Sequence, residues 1–372
     1  MKFSANSSDL SRALAKVNAV VPSKSPSPIL ENVLFDLLNE TLNITATDMD
    51  ISLSVAMQVK AGEDGKIAIP AKRLLDTIRS LPDTEIIFII DTTTNKIKIT
   101  TKNGEYSLTG ESAKDYPILP QFKGIDELVL DTSTLKKLIH RTAFAVSTDE
   151  LRPAMMGVLF QSKGNELRTV ATDGHRLVKV VQKLSKASSL KRDIIVPAKS
   201  LSLVSRLLET GDNSVSVSDT HIKIAFDRTV LISRLIDETY PNYESVIPQD
   251  NTKMLTVVRD NIIASLRRVA LYASATTHQV RFELSKNQMK VSAQDIDFGG
   301  EAKETVECVY DSETLEIGFN SIYMLDILTH MEEEKVVLKF STPTRAGIVS
   351  PASASTAGED VMMLVMPVRL NV

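Results

Sequence analysis

"RTVATDGHR", residues 168–176, decides how the rest of the chain is read. An aspartate, a glycine, a histidine and an arginine stand side by side between apolar runs, as they would in a catalytic loop or in a tight turn. The stretch has two relatives in the same chain. "NITATDMDI" (43–51) and "KVSAQDIDF" (290–298) set Ala46, Ala171 and Ala293 in equivalent positions, 125 and then 122 residues apart. Phe35, Phe160 and Phe282 keep those intervals, as do Leu42, Leu167 and Met289. Further on, "IAIPAKRLLDTI" (67–78), "IIVPAKSLSLVS" (194–205) and "IGFNSIYMLDIL" (317–328) follow at spacings of 127 and 123. Repeats of this length are domain-sized and far longer than solenoid units. Three of them account for all 372 residues, with expected domains at 1–122, 123–249 and 250–372.

Each repeat has the same order of elements. An amphipathic helix comes first, with Leu10, Leu14, Val17 and Val21 on one face in the first repeat and Leu135, Leu138, Ile139 and Thr142 in the second. Alternating strands follow, as in "VLFDLLNETLNITATD", where an Asn-Glu turn joins two apolar runs. A second helix begins at Pro70 or Pro197, where the missing N–H costs nothing, or at Asn320, a good N-cap. The predicted helices span 8–21, 71–81, 132–147, 198–208, 257–271 and 320–331. "DYPILP" (115–120) and "TYPNYESVIP" (239–248) read as extended connectors between repeats.

The composition, 43% hydrophobic and 24% charged, is that of an ordinary globular protein. No apolar run approaches the roughly 20 residues of a membrane helix, and "MKFSANSSDL" lacks a signal-peptide core, which points to the cytoplasm. The single cysteine, Cys308, excludes an intrachain disulfide framework. A formal net charge of −4 argues against nucleic acid until the charges are placed. The six predicted helices hold thirteen basic residues: Arg12, Lys16, Lys72, Arg73, Arg79, Lys136, Lys137, Arg141, Lys199, Arg206, Arg259, Arg267 and Arg268. Only four acids accompany them, Asp9, Asp76, Asp260 and Asp326, so the helices carry +9 and the remainder −13. Segregation by element type suits helices that face a polyanion and contact phosphates without reading bases. The sixth helix breaks the pattern, with no Lys or Arg and the acidic run Glu332, Glu333 and Glu334 after it.

Catalytic chemistry finds little support. Asp173-Gly174 reads as a hairpin signal between "ELRTVA" and "HRLVKVV", and the equivalent positions, Asp48-Met49-Asp50 and Asp295-Ile296-Asp297, have no histidine. The five histidines, 140, 175, 221, 278 and 330, are never closer than 35 residues, so no local metal-ligand spacing exists. The Asp48/Asp50 and Asp295/Asp297 pairs read as solvated turn carboxylates ahead of a divalent-ion site. The competing classes are a nucleic-acid-processing enzyme using Asp48, Asp50, Asp295 or His175, and a purely structural three-domain scaffold with no DNA partner.

Three tandem repeats, basic helices, "ATDGHRL" (171–177), "YPNYESVIP" (240–248) and the terminal "VMPVRL" (365–370) together resemble the bacterial DNA polymerase III beta subunits, the replicative sliding clamps. The resemblance runs from "MKFS" to the last strand. It implies an α+β DNA clamp fold of three similar domains, with helices lining a central hole, antiparallel sheets outside, and two subunits joined head to tail in a ring. It implies a non-catalytic processivity subunit with no cofactor and no metal, cytoplasmic and nucleoid-associated, that encircles duplex DNA. No GxxxxGK[ST] occurs, so an ATP-dependent clamp loader would open the ring. In such a ring the helix cations Arg73, Arg79, Lys136, Lys137, Arg141, Lys199, Arg206, Arg267 and Arg268 would face DNA, and Lys24 matches a basic loop residue that touches it in the family. By matching motif, Thr172, Gly174, His175, Arg176, Leu177, Pro241, Val246, Asn320, Tyr323, Leu364, Met366, Pro367, Val368, Arg369 and Leu370, with Arg152 and Met155 alongside, would form the pocket for short tails of the polymerase catalytic subunit, the loader and repair proteins. Tyr106, Leu108, Leu271 and Tyr272 would lie at the homodimer interface. Ser245, Thr277 and Ala154 depart from the family pattern at positions that bear on peptide preference and one DNA contact. "SPASASTAGED" (350–360) reads only as a polar loop.

Overall fold

A computed structural model describes residues 1–370 except 119, 121, 125, 129, 186–189, 210–212, 297 and 354–357. Each repeat places a helix before a run of antiparallel strands and a second helix after it. In the first, α1 (Ser7–Val17) precedes Asn32–Leu38, Thr41–Thr47, Ile51–Gln58 and Gly65–Pro70, and α2 (Ala71–Arg79) follows. In the second, α3 (Thr132–Thr142) precedes Gly157–Lys163, Glu166–Thr172, Arg176–Lys183 and Ile194–Pro197, and α4 (Ala198–Leu207) follows. In the third, α5 (Arg259–Val269) precedes Gln279–Ser285, Gln288–Asp295, Gly300–Glu307 and Leu315–Asn320, and α6 (Ser321–Thr329) follows.

The helices are shorter than periodicity predicts. α1 is capped by the Asn6 side chain, which accepts from the Ser8 and Asp9 amides. It ends at Val17, so Val20 is buried where Val21 was expected to be. The third helix stops at Thr142, whose hydroxyl bonds back to Leu138 O at 2.6 Å, and a 3-10 turn takes Ala143–Ala145. α5 starts at Arg259 because Lys253–Val258 is a strand. Asn39 and Glu40 form the expected tight turn, both in the left-handed region at φ 48° and 63°. Asn320 caps α6 as expected, accepting from Ile322 N and Tyr323 N. The connector 239–248 is not extended throughout; a 3-10 turn, Tyr243–Val246, buries Tyr243.

The described residues gather into two compact units, Met1–Thr134 with Lys199–Leu235, and Leu135–Ala198 with Ile236–Val372. The first holds a five-stranded and an eight-stranded antiparallel sheet, the second a nine-stranded and a four-stranded one. In the eight-stranded sheet Thr229–Arg234 pairs with Ile51–Gln58, Leu231 opposite Leu53, which joins strands of the first and second repeats. In the nine-stranded sheet Arg176–Lys183 pairs with Glu359–Val365, Val178 opposite Met363, joining the second and third. A strand that would be an exposed edge in one repeat is thereby satisfied by the next.

Inside the first unit the apolar faces of α1 and α2 are buried at Leu10, Leu14, Val17, Leu74, Leu75 and Ile78. Beneath them Phe3 stacks on Phe88 at 4.7 Å, with Phe35 tilted against both. Tyr116 is buried there too, its hydroxyl donating to Thr45 O, and burial pushes its pKa up to about 12.

Candidate peptide pocket and basic helix faces

The Asp-Gly-His-Arg stretch is a turn, and the Thr172 hydroxyl and Asp173 carboxylate are consumed in making it. Thr172 Oγ1 donates to Arg176 O at 2.7 Å and accepts from Gly174 N at 3.1 Å. Asp173 Oδ1 accepts from the amides of His175 and Arg176, both at 2.9 Å. Gly174 has φ 89°. The first repeat builds the same device: Thr47 Oγ1 donates to Ile51 O, Asp48 Oδ1 accepts from Asp50 N and Ile51 N, and Met49 takes φ 81°. The Asp295/Asp297 pair falls partly on residue 297, outside the described residues. Among the described residues no cluster of three His, Cys, Asp or Glu could hold a metal ion.

Arg176 fastens the turn to its neighbours. It is buried, with Nε 3.1 Å from Asp173 Oδ2, Nη1 on Asp326 of α6, and Nη2 donating to Phe144 O at 2.9 Å. Its guanidinium lies over Tyr323 at 4.9 Å and Phe144 at 5.2 Å. His175, exposed, stacks on the same Tyr323 ring at 5.7 Å. Burial pushes the Tyr323 hydroxyl pKa up, and Asp173 adds to that.

The C-terminal segment closes the arrangement. Met366 N donates to His175 O at 2.8 Å and Val368 N to Gly318 O at 2.9 Å. Leu370 packs over Gly318, where a Cβ would stand 2.6 Å from Leu370 Cδ2. Leu177 and Leu364 face each other across paired strands, and both are buried. They belong to a core cluster with Leu159, Val170, Ile195, Tyr243 and Ala346, against which Ala154, Tyr240, Ile247 and Met362 pack. The Tyr240 hydroxyl, donating to Val170 O at 3.4 Å, fixes the connector that carries Pro241. Arg152 and Met155 border Gly174, at 3.2 and 3.7 Å from the position of a Cβ. Asn320 Nδ2 donates to Thr277 O at 3.4 Å.

The result is a buried apolar floor (Met155, Leu177, Leu364) with an exposed rim of Arg152, Gly174, His175, Pro241, Val246, Met366 and Arg369. Sequence reasoning missed Phe144, Asp326 and Gly318. The last was visible as the one small residue in the strand "LEIGFN".

Of the ten cations expected to meet DNA, Lys24, Arg73, Arg79, Lys199, Arg206, Arg267 and Arg268 are exposed. Two of these hold carboxylates as well, Lys199 with Asp48 at 2.5 Å and Arg268 with Glu304 at 2.7 Å. Lys136 is half-buried. Lys137 sits between Glu332 and Glu359 at 3.4 and 3.1 Å.

Arg141 corrects the expectation. It is wholly buried, with Glu333 at 2.9 Å, Glu359 at 3.2 Å and Glu332 at 3.5 Å. It cannot touch a phosphate, because three carboxylates already occupy it. The sign was available: Arg141 lies three residues after buried Leu138, within the apolar stripe of its helix, and the acidic run after α6 is its complement.

Tyr106 and Leu108 lie on Glu105–Thr109, an edge strand of the five-stranded sheet. Leu271 is 81% exposed and Tyr272 47%, in a 3-10 turn beside the edge strand Gly300–Glu307. Ile296 and Phe298, which sequence reasoning did not single out, are 78% and 89% exposed next to that strand. No helix among the described residues is long and apolar enough to cross a membrane.

Three family models match the chain in succession: DNA polymerase III beta subunit, N-terminal domain, over residues 1–120, central domain over 129–242, and C-terminal domain over 244–369. The beta sliding clamp of Chlamydia muridarum is 31% identical over 372 residues, covering all of both chains. That of Haemophilus influenzae is 30% identical over 375 residues, again covering both completely. Among solved structures, a sliding clamp from Bartonella birtlesii bound to griselimycin superposes with a TM-score of 0.94 at 30% identity, covering both chains in full. A Bacillus subtilis sliding clamp gives a TM-score of 0.94 at 26% identity with the same coverage.

Proposed function

The chain belongs to the DNA polymerase III beta subunit family, a non-catalytic DNA sliding clamp that tethers polymerase, and from that premise we propose how its own residues do the work. Two copies close head to tail into a ring around duplex DNA, each contributing domains at 1–122, 123–249 and 250–372. The edge strand Glu105–Thr109 of one copy, with Tyr106 and Leu108, pairs with the edge Gly300–Glu307 of the other. Leu271, Tyr272, Ile296 and Phe298 bury their apolar surface in that contact. Unpaired edges flanked by exposed apolar side chains favour this pairing over solvent exposure.

The helices line the hole. The observation that supports the reading is that Arg73 and Arg79 on α2, Lys199 and Arg206 on α4, and Arg267 and Arg268 on α5 are exposed while Arg141 is not. Lys24 adds a loop contact, and Lys136 and Lys137 contribute through partly exposed side chains. Such contacts meet phosphates, are screened by salt and carry no base readout, so the ring slides. Retention is topological, and tight binding would oppose movement.

The pocket around Leu177, Leu364, Met366, His175 and Tyr323 takes short apolar tails of the polymerase catalytic subunit, the ATP-dependent loader and repair proteins. The griselimycin-bound relative supports a binding site in this fold. The protein acts in the cytoplasm, on the nucleoid. Protein preloaded on a nicked circular plasmid is expected to remain through gel filtration and to run off after linearisation. Equal loss from both forms refutes encirclement. In sedimentation, Leu271→Asp is expected to shift the protein from about twice 40.9 kDa toward the monomer.

A further inference from the structure

The face of the nine-stranded sheet that carries Leu177 and Leu364 does not end at the pocket. Side chains alternate along a strand, so Leu177, Lys179, Val181 and Lys183 share one face. Across the ladder Leu177 meets Leu364, Lys179 meets Met362 and Val181 meets Asp360. Lys339 lies in the same row as Leu364, through Ile348. Beyond the apolar pair the surface therefore turns basic. Lys179 is two residues from Leu177, about 7 Å, and Lys183 six residues away, about 20 Å.

These lysines, with Arg168, line a cleft of about 970 Å³. Ile247 and Met362 line it too, and both also pack against the cluster that contains Leu177 and Leu364. These two side chains thus link the cleft to the apolar cluster. Arg168 is held by Glu166 at 3.6 Å and Glu244 at 3.5 Å. Among the described residues Lys179, Lys183 and Lys339 have no ion pair, in a chain whose net charge is negative.

We propose that this cleft receives an acidic flank of a partner tail whose apolar end occupies the Leu177/Leu364 pocket. The inference rests on the peptide-pocket reading above and adds to it a rule for choosing among tails. A peptide fits better than nucleic acid. Glu166, Glu359 and Asp360 interrupt the positive surface, and none of the described residues lining the cleft is an aromatic that could serve as a stacking platform. An extended peptide anchored at Leu177 spans the distance to Lys183 with about six residues. Acidic side chains at alternate positions then meet Lys179 and Lys183 in turn.

The test uses full-length protein and fluorescein-labelled synthetic peptides in anisotropy titrations. All share one apolar anchor with leucines at alternate positions, flanked at either end by four glutamates, four serines or four lysines. The glutamate flank at one end is expected to bind about fivefold tighter than serine in roughly 50 mM salt, and the gain to shrink as salt screens it. Lys179→Gln/Lys183→Gln/Lys339→Gln should abolish that gain and leave the serine peptide unchanged. Equal binding of the glutamate and serine peptides, or a gain that survives the triple substitution, overturns the cleft while the serine peptide still reports the pocket. Failure of every peptide to bind overturns both readings. Triple-variant-sensitive binding of single-stranded oligonucleotide, with no glutamate gain, overturns the choice of occupant.

Discussion

Arg141 Nε and Glu359 Oε1 lie 3.2 Å apart, and each side chain is only 1% exposed. The arginine comes from α3 in the second repeat and the glutamate from the last strand of the third. Glu332 and Glu333 approach the same guanidinium, and Lys137 approaches Glu359. Yet Arg141 Nη1 and both Glu359 oxygens lack an aligned hydrogen bond among the described residues, so the group is held by charge more than by geometry. Removing one member leaves charge buried without compensation. Arg141→Met should cost about 3–5 kcal/mol in chemical denaturation, whereas Arg141→Met/Glu359→Leu should recover much of the loss. A double variant as unstable as the single would mean that the contact matters for more than its charges.

The same network sets an acid limit. Burial pushes the Glu333 carboxyl up, but the hydrogen bond and charge of Arg141 outweigh it and its pKa is lowered. A carboxyl with a lowered folded-state pKa contributes stability above its ordinary value of 4.5, and loses it as pH falls through and below that value. Thermal melting between about pH 6 and pH 3 should fall less steeply in Glu333→Gln than in the parent.

His330 acts at higher pH. Its ring stacks on Phe144 at 3.8 Å, faces His140 at 4.7 Å, and donates from Nδ1 to Asp326 O at 2.7 Å. Burial lowers its pKa, and the charges of His140 and Arg176 add to this against the raising effect of Asp326. The folded state resists a proton that the unfolded chain accepts, so stability is complete above the ordinary value of 6.5 and is lost as pH falls through it. His330→Asn keeps a donor at the Nδ1 position and does not titrate. The difference in Tm between about pH 7.5 and pH 5.5 should narrow in that variant.

The two equivalent turns predict opposite signs. Gly174→Ala forces a Cβ into φ 89° and to within 3.2 Å of Arg152 Nη1, at about 1–2 kcal/mol. Met49 already bears such strain at φ 81°, so Met49→Gly should stabilise by up to about 1 kcal/mol. Denaturant midpoints decide both.

Gly318 tests the C-terminal wall of the proposed pocket. An alanine Cβ would stand 2.6 Å from Leu370 Cδ2 and 2.9 Å from Val368 O, displacing the tail segment rather than the strand beneath it. Peptide affinity should fall about tenfold, roughly 1.4 kcal/mol, with little change in melting temperature. An unchanged affinity would show that the segment beyond Met366 is dispensable for binding.

Much of this was written locally. Spacing of Leu10 and Leu14, or of Leu135, Leu138 and Ile139, specifies a buried helix face, and Asp173-Gly174 specifies a turn, because each depends on residues a few positions apart. The threefold repetition exposed the organisation, and the quoted motifs picked out residues that the fold brings together around Leu177 and Leu364. What the sequence could not determine was which strands of successive repeats would pair, or that Arg141, on a helix whose Lys136 and Lys137 stay partly exposed, would be enclosed by Glu332, Glu333 and Glu359. Those carboxylates lie about two hundred positions further along. Whether a charge meets solvent or a buried partner depends on desolvation and distance in the folded state, and only the tertiary structure decides either.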